Sequence, residues 1–447
     1  MALSFHCEAS SIYPQQEQVN YRNKKCLQIV KNLIRKIGIP SISSSPHISL
    51  QRGNWVKLIC GASFEDVVDI RNLSLVYALA GVDCIDCAAD ESVVNAVNEG
   101  IEAAREIVPF QRPWVMISVN DDEDLHFRKA KFDPEDCPPD CSRPCEMVCP
   151  SNAISLKDGV ITERCYGCGR CFPVCPYDKI RAVTYVRDAV ATSQLLKRND
   201  VDALEIHTSG RQTDLFKELW NNLKDSIGNV KLVAVSLPYV GDSTVSLMNT
   251  MYSIMEPHLC CSNLWQVRSM IYELDGRPMS GDIGRGATRE AIAFAVHLTA
   301  LRDRPHGFLQ LAGGTNVHTV NGLKKARLFQ TTCITGILLF LFSLLYLFES
   351  QYFIKGFIMF MILTVQEYVI EGEISTVKPP GLLDALIGGV AYGGYARKIV
   401  GRVLSKMQSQ HSLACVEDYP DHLLEALKEA LALVGTVKCY DLPSELP

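Results

Sequence analysis

Several familiar signatures are absent from this 447-residue chain. No basic stripe accompanies the formal net charge of -6, which argues against nucleic acid as the main partner. No Walker-type lysine motif occurs, and no G-x-G-x-x-G follows a strand, since Gly281–Gly286 lacks that context. No nucleophile–base pair can be named, and a lone histidine such as His207 is more often structural. Whether the chain is an enzyme, and with which catalytic residues, is therefore left open.

The first part of the chain lacks the apolar run of a secretory signal. Residues 1–52 are rich in Ser, Lys and Arg and contain only Glu8 and Glu17 as acidic residues. A basic, serine-bearing and acid-poor segment is typical of an organellar transit peptide. A plain disordered tail is the alternative.

The most informative stretch is 137–176, which contains two runs of four cysteines. The second run, Cys165–Pro176, reads C-x2-C-x2-C-x3-C-P, the spacing of a [4Fe–4S] site in bacterial-type ferredoxins. The first run, Cys137–Pro150, is looser and reads C-x3-C-x3-C-x3-C-P. Its prolines keep the longer gaps out of helix, so that the cysteines can still converge. The residues between the runs predict a tight hairpin around Asp158-Gly159.

The two runs predict two [4Fe–4S] clusters that exchange their fourth ligands. One cluster is assigned to Cys137, Cys141, Cys145 and Cys175, and the other to Cys149, Cys165, Cys168 and Cys171. One cluster with a modified first loop is an alternative. Zinc is another, although only the second run supplies the C-x2-C knuckles that zinc sites use. Disulfides would need an oxidising compartment, which the rest of the chain does not indicate.

The remaining sequence alternates apolar strands with helices of 10 to 20 residues, which is typical of βαβ units and a parallel sheet. About eight such strands predict a (β/α)8-like barrel with the ferredoxin-type module inserted after the third strand. An open, doubly wound α/β sheet is the alternative. The predicted division is a transit peptide or disordered segment (1–52), the first half of the barrel (53–120), the cluster insert (121–185), the second part of the barrel (186–326), an apolar insertion (327–372) and the end of the α/β domain with a C-terminal helix (373–447).

Two short motifs near the cysteine runs have structural explanations. Cys84 and Cys87 form a C-x2-C, but they lie in a strand, where residues three apart point to opposite sides. A redox pair is therefore not expected there. Asp121–Asp124 is an acidic run that could dock a basic electron-transfer partner, but such a run is usually a solvated loop.

Two glycine-rich segments suggest a phosphate site. Backbone N–H groups of the loops after the seventh and eighth barrel strands often bind phosphate. Gly313-Gly314 and Gly388-Gly389 would occupy those loops if the strand count is right. Glycines at tight turns also occur without any ligand, because a positive φ alone requires them.

Residues 327–372 do not follow the barrel pattern. Cys333–Phe348 is an uncharged run of 16 residues, and Phe353–Val365 is a second run interrupted by Lys355. A membrane-spanning helix needs about 20 apolar residues. The stretch is interpreted first as translated non-coding sequence from a mispredicted gene, and otherwise as a membrane hairpin through 333–365 or an internal pair of apolar helices.

Five segments together resemble the LdpA (light-dependent period) family, iron–sulfur proteins of cyanobacteria with plant counterparts. They are Ser118–Asp121, Phe127–Cys141, Arg164–Cys171, Gln310–Asn316 and Val390–Arg397. The resemblance runs from about Trp55 to the end, without 327–372, and it includes the stretched first cysteine loop. It implies that all eight cysteines are cluster ligands.

The resemblance also implies a redox-responsive factor that couples photosynthetic electron-carrier state to the circadian clock, acting on a protein redox or signalling partner. A plant member with an N-terminal extension would lie in the chloroplast stroma. The alternative is an iron–sulfur oxidoreductase with a phosphate-bearing cofactor or substrate at the C-terminal face of the barrel. A third hypothesis makes the clusters structural staples of the insert.

Overall fold

The computed structural model describes residues 25–36, 45–259, 261–268, 287–301, 303–329, 387–411 and 415–440. Several sequence predictions fall outside these ranges: most of the transit peptide (1–24 and 37–44), the segment Gly281–Gly286 and the apolar insertion from residue 330 onward. No helix within the described ranges is both long and apolar enough to cross a membrane.

Eight parallel strands close into a barrel. Each strand carries a run of apolar residues, as is typical of parallel strands that are buried on both faces. The strands, numbered along the chain, are β1 (Trp55–Gly61), β2 (Cys84–Ala88), β3 (Trp114–Asn120), β4 (Arg128–Lys131), β5 (Ile154–Ser155), β6 (Gly159–Val160), β7 (Arg181–Thr184), β8 (Ala203–His207), β9 (Leu232–Pro238), β10 (Ser262–Arg268), β11 (Phe308–Leu311) and β12 (Gly389–Tyr392). The barrel order is β1-β2-β3-β8-β9-β10-β11-β12, and β12 pairs with β1. The predicted (β/α)8-like barrel is confirmed, and the open sheet was wrong because this last pairing closes the edge.

Helices surround the barrel and cover the outward sides of the strands. They are α1 (Pro46–Arg52), α2 (Val67–Leu79), α3 (Glu91–Ile107), α4 (Pro144–Val148), α5 (Ala189–Leu196), α6 (Thr213–Leu223), α7 (Thr244–Met255), α8 (Ala287–Ala300), α9 (Thr319–Lys325), α10 (Gly394–His411) and α11 (Pro420–Lys438), and residues 25–36 are also helical. Aspartates cap the first helices: Asp66 and Asp90 each accept two backbone N–H bonds at the start of α2 and α3.

The polypeptide leaves the barrel after β3 and returns at α5, as the sequence predicts for an insert after the third strand. Within this excursion β4 pairs with β7, and β5 pairs with β6 in the hairpin expected around Asp158-Gly159. Both pairs are antiparallel. The insert is therefore a small unit with two short antiparallel sheets, joined to the barrel by one chain segment after β3 and one before α5. The two segments meet where Arg187 N donates to Asn120 Oδ1.

The N-terminal end of the barrel is filled by apolar side chains. Trp55 and Trp114 meet edge to face with ring centroids 5.5 Å apart, and Leu50 of α1 is buried against them. Cys84 lies in this inner cluster, whereas Cys87 lies in the outer core between strands and helices. The two thiols are thus on opposite sides of β2, as expected from strand alternation.

Replacing Gly389 by alanine tests the closure of the barrel. A Cβ atom at this position would lie 2.1 Å from the backbone oxygen of Trp55 on the paired strand, so one strand would have to move. We expect a loss of about 1–3 kcal/mol in the free energy of unfolding, measured by urea unfolding.

Gly401 is the matched control, because no atom of the described residues outside its own helix backbone lies within 4 Å of a Cβ added there in α10. Its replacement by alanine should raise stability by up to about 1 kcal/mol, since alanine favours helix. If Gly389→Ala were as stable as the original chain, the described pairing of β1 with β12 would be incorrect.

Candidate iron–sulfur sites and a pocket at the barrel mouth

The structure gathers the eight cysteines of the insert into two groups. The first group is Cys137, Cys141, Cys145 and Cys175, and the second is Cys149, Cys165, Cys168 and Cys171. Burial raises the pKa of Cys137 and of Cys168, and neighbouring thiols of the same group raise each pKa further. Four thiols held this close suit a cube of iron and sulfide, which takes them as thiolates. That the eight are cluster ligands stays a prediction.

The ends of the two cysteine runs share one local geometry. Asn152 and Asp178, each three residues after the last cysteine of a run, have φ angles of 49° and 51°. The next backbone N–H then donates to the sulfur of Cys149 at 3.2 Å and of Cys175 at 3.4 Å. N–H bonds to sulfur stabilise a thiolate ligand and influence cluster potential. The residues present therefore fit an iron–sulfur group at both positions.

A buried cation borders the second group. Arg128 of β4 donates from Nε to the backbone oxygen of Gly167 at 2.8 Å, and its guanidinium lies 5.3 Å from the ring centroid of Phe172. Burial lowers the pKa of Arg128, while the nearby thiols of Cys168 and Cys171 act in the opposite direction. A positive charge at this place favours additional negative charge on the sulfur ligands.

Ion pairs hold the insert against the loop that follows β1. Glu65 accepts from Lys129 at 2.8 Å and from Arg187 at 2.7 Å. The guanidinium of Arg397 lies 4.4 Å from the ring centroid of Tyr166, in the cysteine loop. These contacts fix the second group of cysteines over the C-terminal mouth of the barrel.

Polar side chains line the barrel interior between the apolar end and this mouth. Lys57 and Glu205 are fully buried and form an ion pair, and Glu205 also accepts from Gln266 and contacts His207 Nε2 at 3.1 Å. Burial alone would raise the pKa of Glu205, but the Lys57 ammonium and the bond from His207 outweigh it and hold the pKa well below the usual range.

Asp86 is a second buried carboxyl in this layer. It accepts from Ser118 Oγ at 2.6 Å and lies near the charges of Lys57 and Glu205. Burial raises the pKa of Asp86 to about 6, although Lys57 and the bond from Ser118 act against this shift. The interior therefore contains a carboxyl that can change its charge near neutral pH.

A cavity of about 80 Å³ opens above this layer and touches both the barrel and the insert. Its walls include Asp86, Glu205 and His207 from the strands, and Cys168 from the second cysteine group. A cavity of this size admits several waters or one end of a small ligand.

The four glycines predicted to bind phosphate lie at opposite ends of the barrel. Gly313 and Gly314 follow β11, have φ angles of 74° and 71°, and line the cavity. Gly388 instead precedes β12 and Gly389 begins it, so both lie at the apolar N-terminal end of the barrel. Their expected place after the last strand was wrong, because the next glycine pair, Gly393–Gly394, follows that strand and lines the cavity. Phosphate binding itself stays a prediction.

Sequence reasoning missed the charged residues of the interior. Lys57, Asp86 and Glu205 each interrupt an apolar strand at a position that alternation turns inward, and this signal could have found them. The interpretation of the acidic run as a solvated loop was wrong for Asp121 and Asp124, which are 8% and 7% exposed, whereas Glu123 is exposed as expected.

Comparison with known proteins matches two family models to this chain. The light dependent period A C-terminal domain matches residues 195–436, and the LdpA Fe-S cluster-binding domain matches residues 137–186. The second match covers all eight grouped cysteines and supports an iron–sulfur cofactor.

Two curated proteins are similar in sequence. Light dependent period A of the cyanobacterium Synechococcus elongatus is 36% identical over 396 residues, which cover 89% of this chain and 94% of that protein. An uncharacterized ferredoxin of Methanocaldococcus jannaschii is 39% identical over 56 residues, 12% of this chain and 34% of the ferredoxin.

Proposed function

The chain belongs to the light dependent period A family, and from this premise we propose that it is an iron–sulfur redox sensor for light-dependent input to a circadian clock. One observation carries the proposal: the cysteine group that contains Cys168 borders a polar cavity at the mouth of the barrel. A change of charge at that group would therefore act beside titratable barrel residues.

The proposed cofactors are two [4Fe–4S] clusters, one on each group of four cysteines. When bound, each cluster supplies reversible one-electron chemistry. The protein's own contribution is the backbone N–H donors to sulfur and the buried guanidinium of Arg128, which together favour the more negative state. A cluster potential within reach of ferredoxins is the expected result.

The barrel mouth would convert a change of charge into a change of protonation. Added negative charge beside Cys168 disfavours the ionised form of Asp86, whose pKa of about 6 is already near neutrality. Proton uptake there would alter the hydrogen bond from Ser118 and the charge that Lys57 and Glu205 experience. We propose that a protein redox or signalling partner recognises the resulting surface.

We place this function in the chloroplast stroma. The proposal is supported by the basic, acid-poor composition of residues 1–52 and by the cyanobacterial origin of the similar protein. The predicted boundary of the leader at residue 52 was too late, because Val30, Leu33, Ile34 and Leu50 are buried in the core of the folded protein. Import of a fluorescent fusion to residues 1–52 into isolated chloroplasts tests it, and a fusion that stays outside would contradict it.

Anaerobic redox titration followed by EPR tests the sensor proposal. At least one cluster should have a midpoint near or above about -400 mV, the region of plant-type ferredoxins. Hydrogen exchange around β8 should differ between oxidised and dithionite-reduced protein. Redox sensing would be refuted by clusters that dithionite cannot reduce. It would also be refuted if hydrogen exchange around β8 were the same in the oxidised and the reduced protein.

Gly167→Ala provides a variant that disturbs the contact between the cysteine loop and β4. A Cβ at Gly167 would lie 2.3 Å from the backbone oxygen of Arg128. At Gly241, with a similar φ of 71°, a Cβ would have no neighbour within 4 Å in the part of the chain that the structure describes. Gly167→Ala should weaken the redox-dependent exchange difference, and Gly241→Ala should leave it unchanged. Equal behaviour of the two variants would contradict transmission through this contact.

A second candidate function is favoured by the cavity itself. We propose as the alternative an iron–sulfur oxidoreductase that binds the phosphate end of a cofactor or substrate beside Gly313, Gly314 and Arg397. Anaerobically purified protein should then contain bound phosphorus, with less in Arg397→Met. A phosphorus-free preparation with intact clusters would favour the sensor.

A further inference from the structure

Three potential metal ligands meet where the insert joins the barrel, outside both cysteine groups. One oxygen of Asp124, one ring nitrogen of His126 and one of His207 all lie within 4.8 Å of one another. Asp124 Oδ1 is 2.6 Å from His126 Nδ1 and 4.0 Å from His207 Nδ1. Ligands about 2.1 Å from one ion lie about 3.0–3.4 Å apart at octahedral or tetrahedral angles. A shared ion would therefore replace the hydrogen bond between Asp124 and His126 and draw His207 closer to them.

The orientation of His207 points to a ligand. Its Nε2 lies 3.1 Å from Glu205 Oε1, and Lys57 keeps this carboxylate ionised, so Nε2 carries the donated proton. His207 is only 5% exposed, and its Nδ1 has no hydrogen-bond partner among the described residues. A buried ring nitrogen without a hydrogen-bond partner, 4.0 Å from a carboxylate oxygen, is a position for a ligand.

Glu205 also has the usual relation of an outer carboxylate to a metal-binding histidine. Such histidines commonly donate their second ring N–H to a carboxylate, which sets the tautomer and the direction of the free nitrogen. The rings of His126 and His207 meet edge to face with centroids 4.9 Å apart, and both residues line the cavity. An ion held by them would have open positions on the cavity side.

We propose that Asp124, His126 and His207 bind one divalent first-row metal ion, iron(II) or zinc(II), at the barrel mouth. Two imidazoles and one carboxylate with open positions are the donor set of non-haem iron(II) sites, and zinc accepts the same donors. The ion would lie at the cavity that Cys168 also borders, and it would offer a coordination site to a small ligand there.

Metal analysis of the full-length protein, purified anaerobically, separates this ion from the clusters. A [4Fe–4S] cluster contains equal iron and sulfide, so a mononuclear iron appears as an excess of about one iron over sulfide per chain. A zinc site appears as about one zinc per chain with iron equal to sulfide. Either result supports the proposal and identifies the metal.

Three variants test the ligands. Asp124→Asn keeps a capping side chain for the turn that begins at Leu125, because asparagine caps as well as aspartate. This variant, His207→Gln and His126→Gln should each lower the additional metal at least tenfold while sulfide stays at the level of the original chain. Unchanged sulfide shows that the insert has folded.

Asp133→Asn is the matched control, since Asp133 caps the next turn by accepting from the N–H of Glu135 and lies outside the triad. Mn²⁺ titration by EPR with oxidised, diamagnetic clusters gives a second readout: one site in the original chain and in Asp133→Asn, weakened at least tenfold in the other three. No additional metal and no such Mn²⁺ site would overturn the proposal. Clusters and the sensor function would be untouched by that failure.

Discussion

Lys57→Met is expected to lower the free energy of unfolding by about 3–5 kcal/mol, because it leaves the buried carboxylate of Glu205 without its cation. Both side chains of this pair are fully buried, so water cannot replace the lost ammonium. Gln266 and His207 would remain as donors to Glu205. Urea unfolding of the anaerobic protein measures the loss.

Two further variants make this test specific. Lys406→Met removes the cation of a pair whose side chains are 58% and 52% exposed, and it should cost less than about 1 kcal/mol. The double variant Lys57→Met/Glu205→Gln should recover much of the loss, because no uncompensated charge stays buried. If Lys57→Met cost no more than Lys406→Met, the described pair would not exist in the folded protein.

The same pair predicts a pH dependence. In the original chain the folded pKa of Glu205 is depressed, so its stabilisation is present above the unfolded pKa, about 4.5, and is lost as the pH falls toward the folded pKa. In Lys57→Met, burial should raise the folded pKa of Glu205 above the unfolded value. The ionised carboxylate of Glu205 then lowers the free energy of unfolding of this variant at neutral pH. The difference in stability between the two proteins should therefore shrink as the pH falls from 8 toward 5.

Cys168→Ser is expected to remove one of two clusters and to halve the iron and sulfide, from about eight to about four of each per chain. Serine is a poor substitute for a thiolate ligand, and Cys168 belongs to the group beside the cavity. Iron and sulfide analysis, the brown absorbance and EPR of the reduced protein measure the loss. The proposed sensor should also lose the redox-dependent hydrogen exchange around β8.

Cys415→Ser is the control, since this half-buried thiol lies near Arg71 and Glu417, outside the insert. Its iron content should equal that of the original chain. Full iron in Cys168→Ser would contradict the assignment of this residue as a ligand. About four irons in the original chain would instead show that only one group binds a cluster.

Much of the architecture could be read along the chain, because strand and helix periodicity are local properties. The alternation of apolar strands and helices indicated the barrel, and the gap between β3 and α5 located the insert. The hairpin around Asp158-Gly159 was predicted for the same reason. The position of Gly388-Gly389 was wrong because three apolar residues follow Gly389, and periodicity alone does not show which of two neighbouring glycine pairs begins a short strand and which follows it.

Cysteine spacing determined where iron–sulfur ligands are expected, since ligand geometry constrains residues that are close in sequence. Only the tertiary structure brought together charges from separate strands. Lys57 and Glu205 are 148 residues apart, and His207 meets Asp124 and His126 across the junction of barrel and insert. Strand register and barrel closure decide which inward-facing side chains become neighbours. Both are properties of the whole fold. The cavity beside Cys168 therefore exists only in the folded chain, whereas the spacing of the cysteines is a property of the sequence itself.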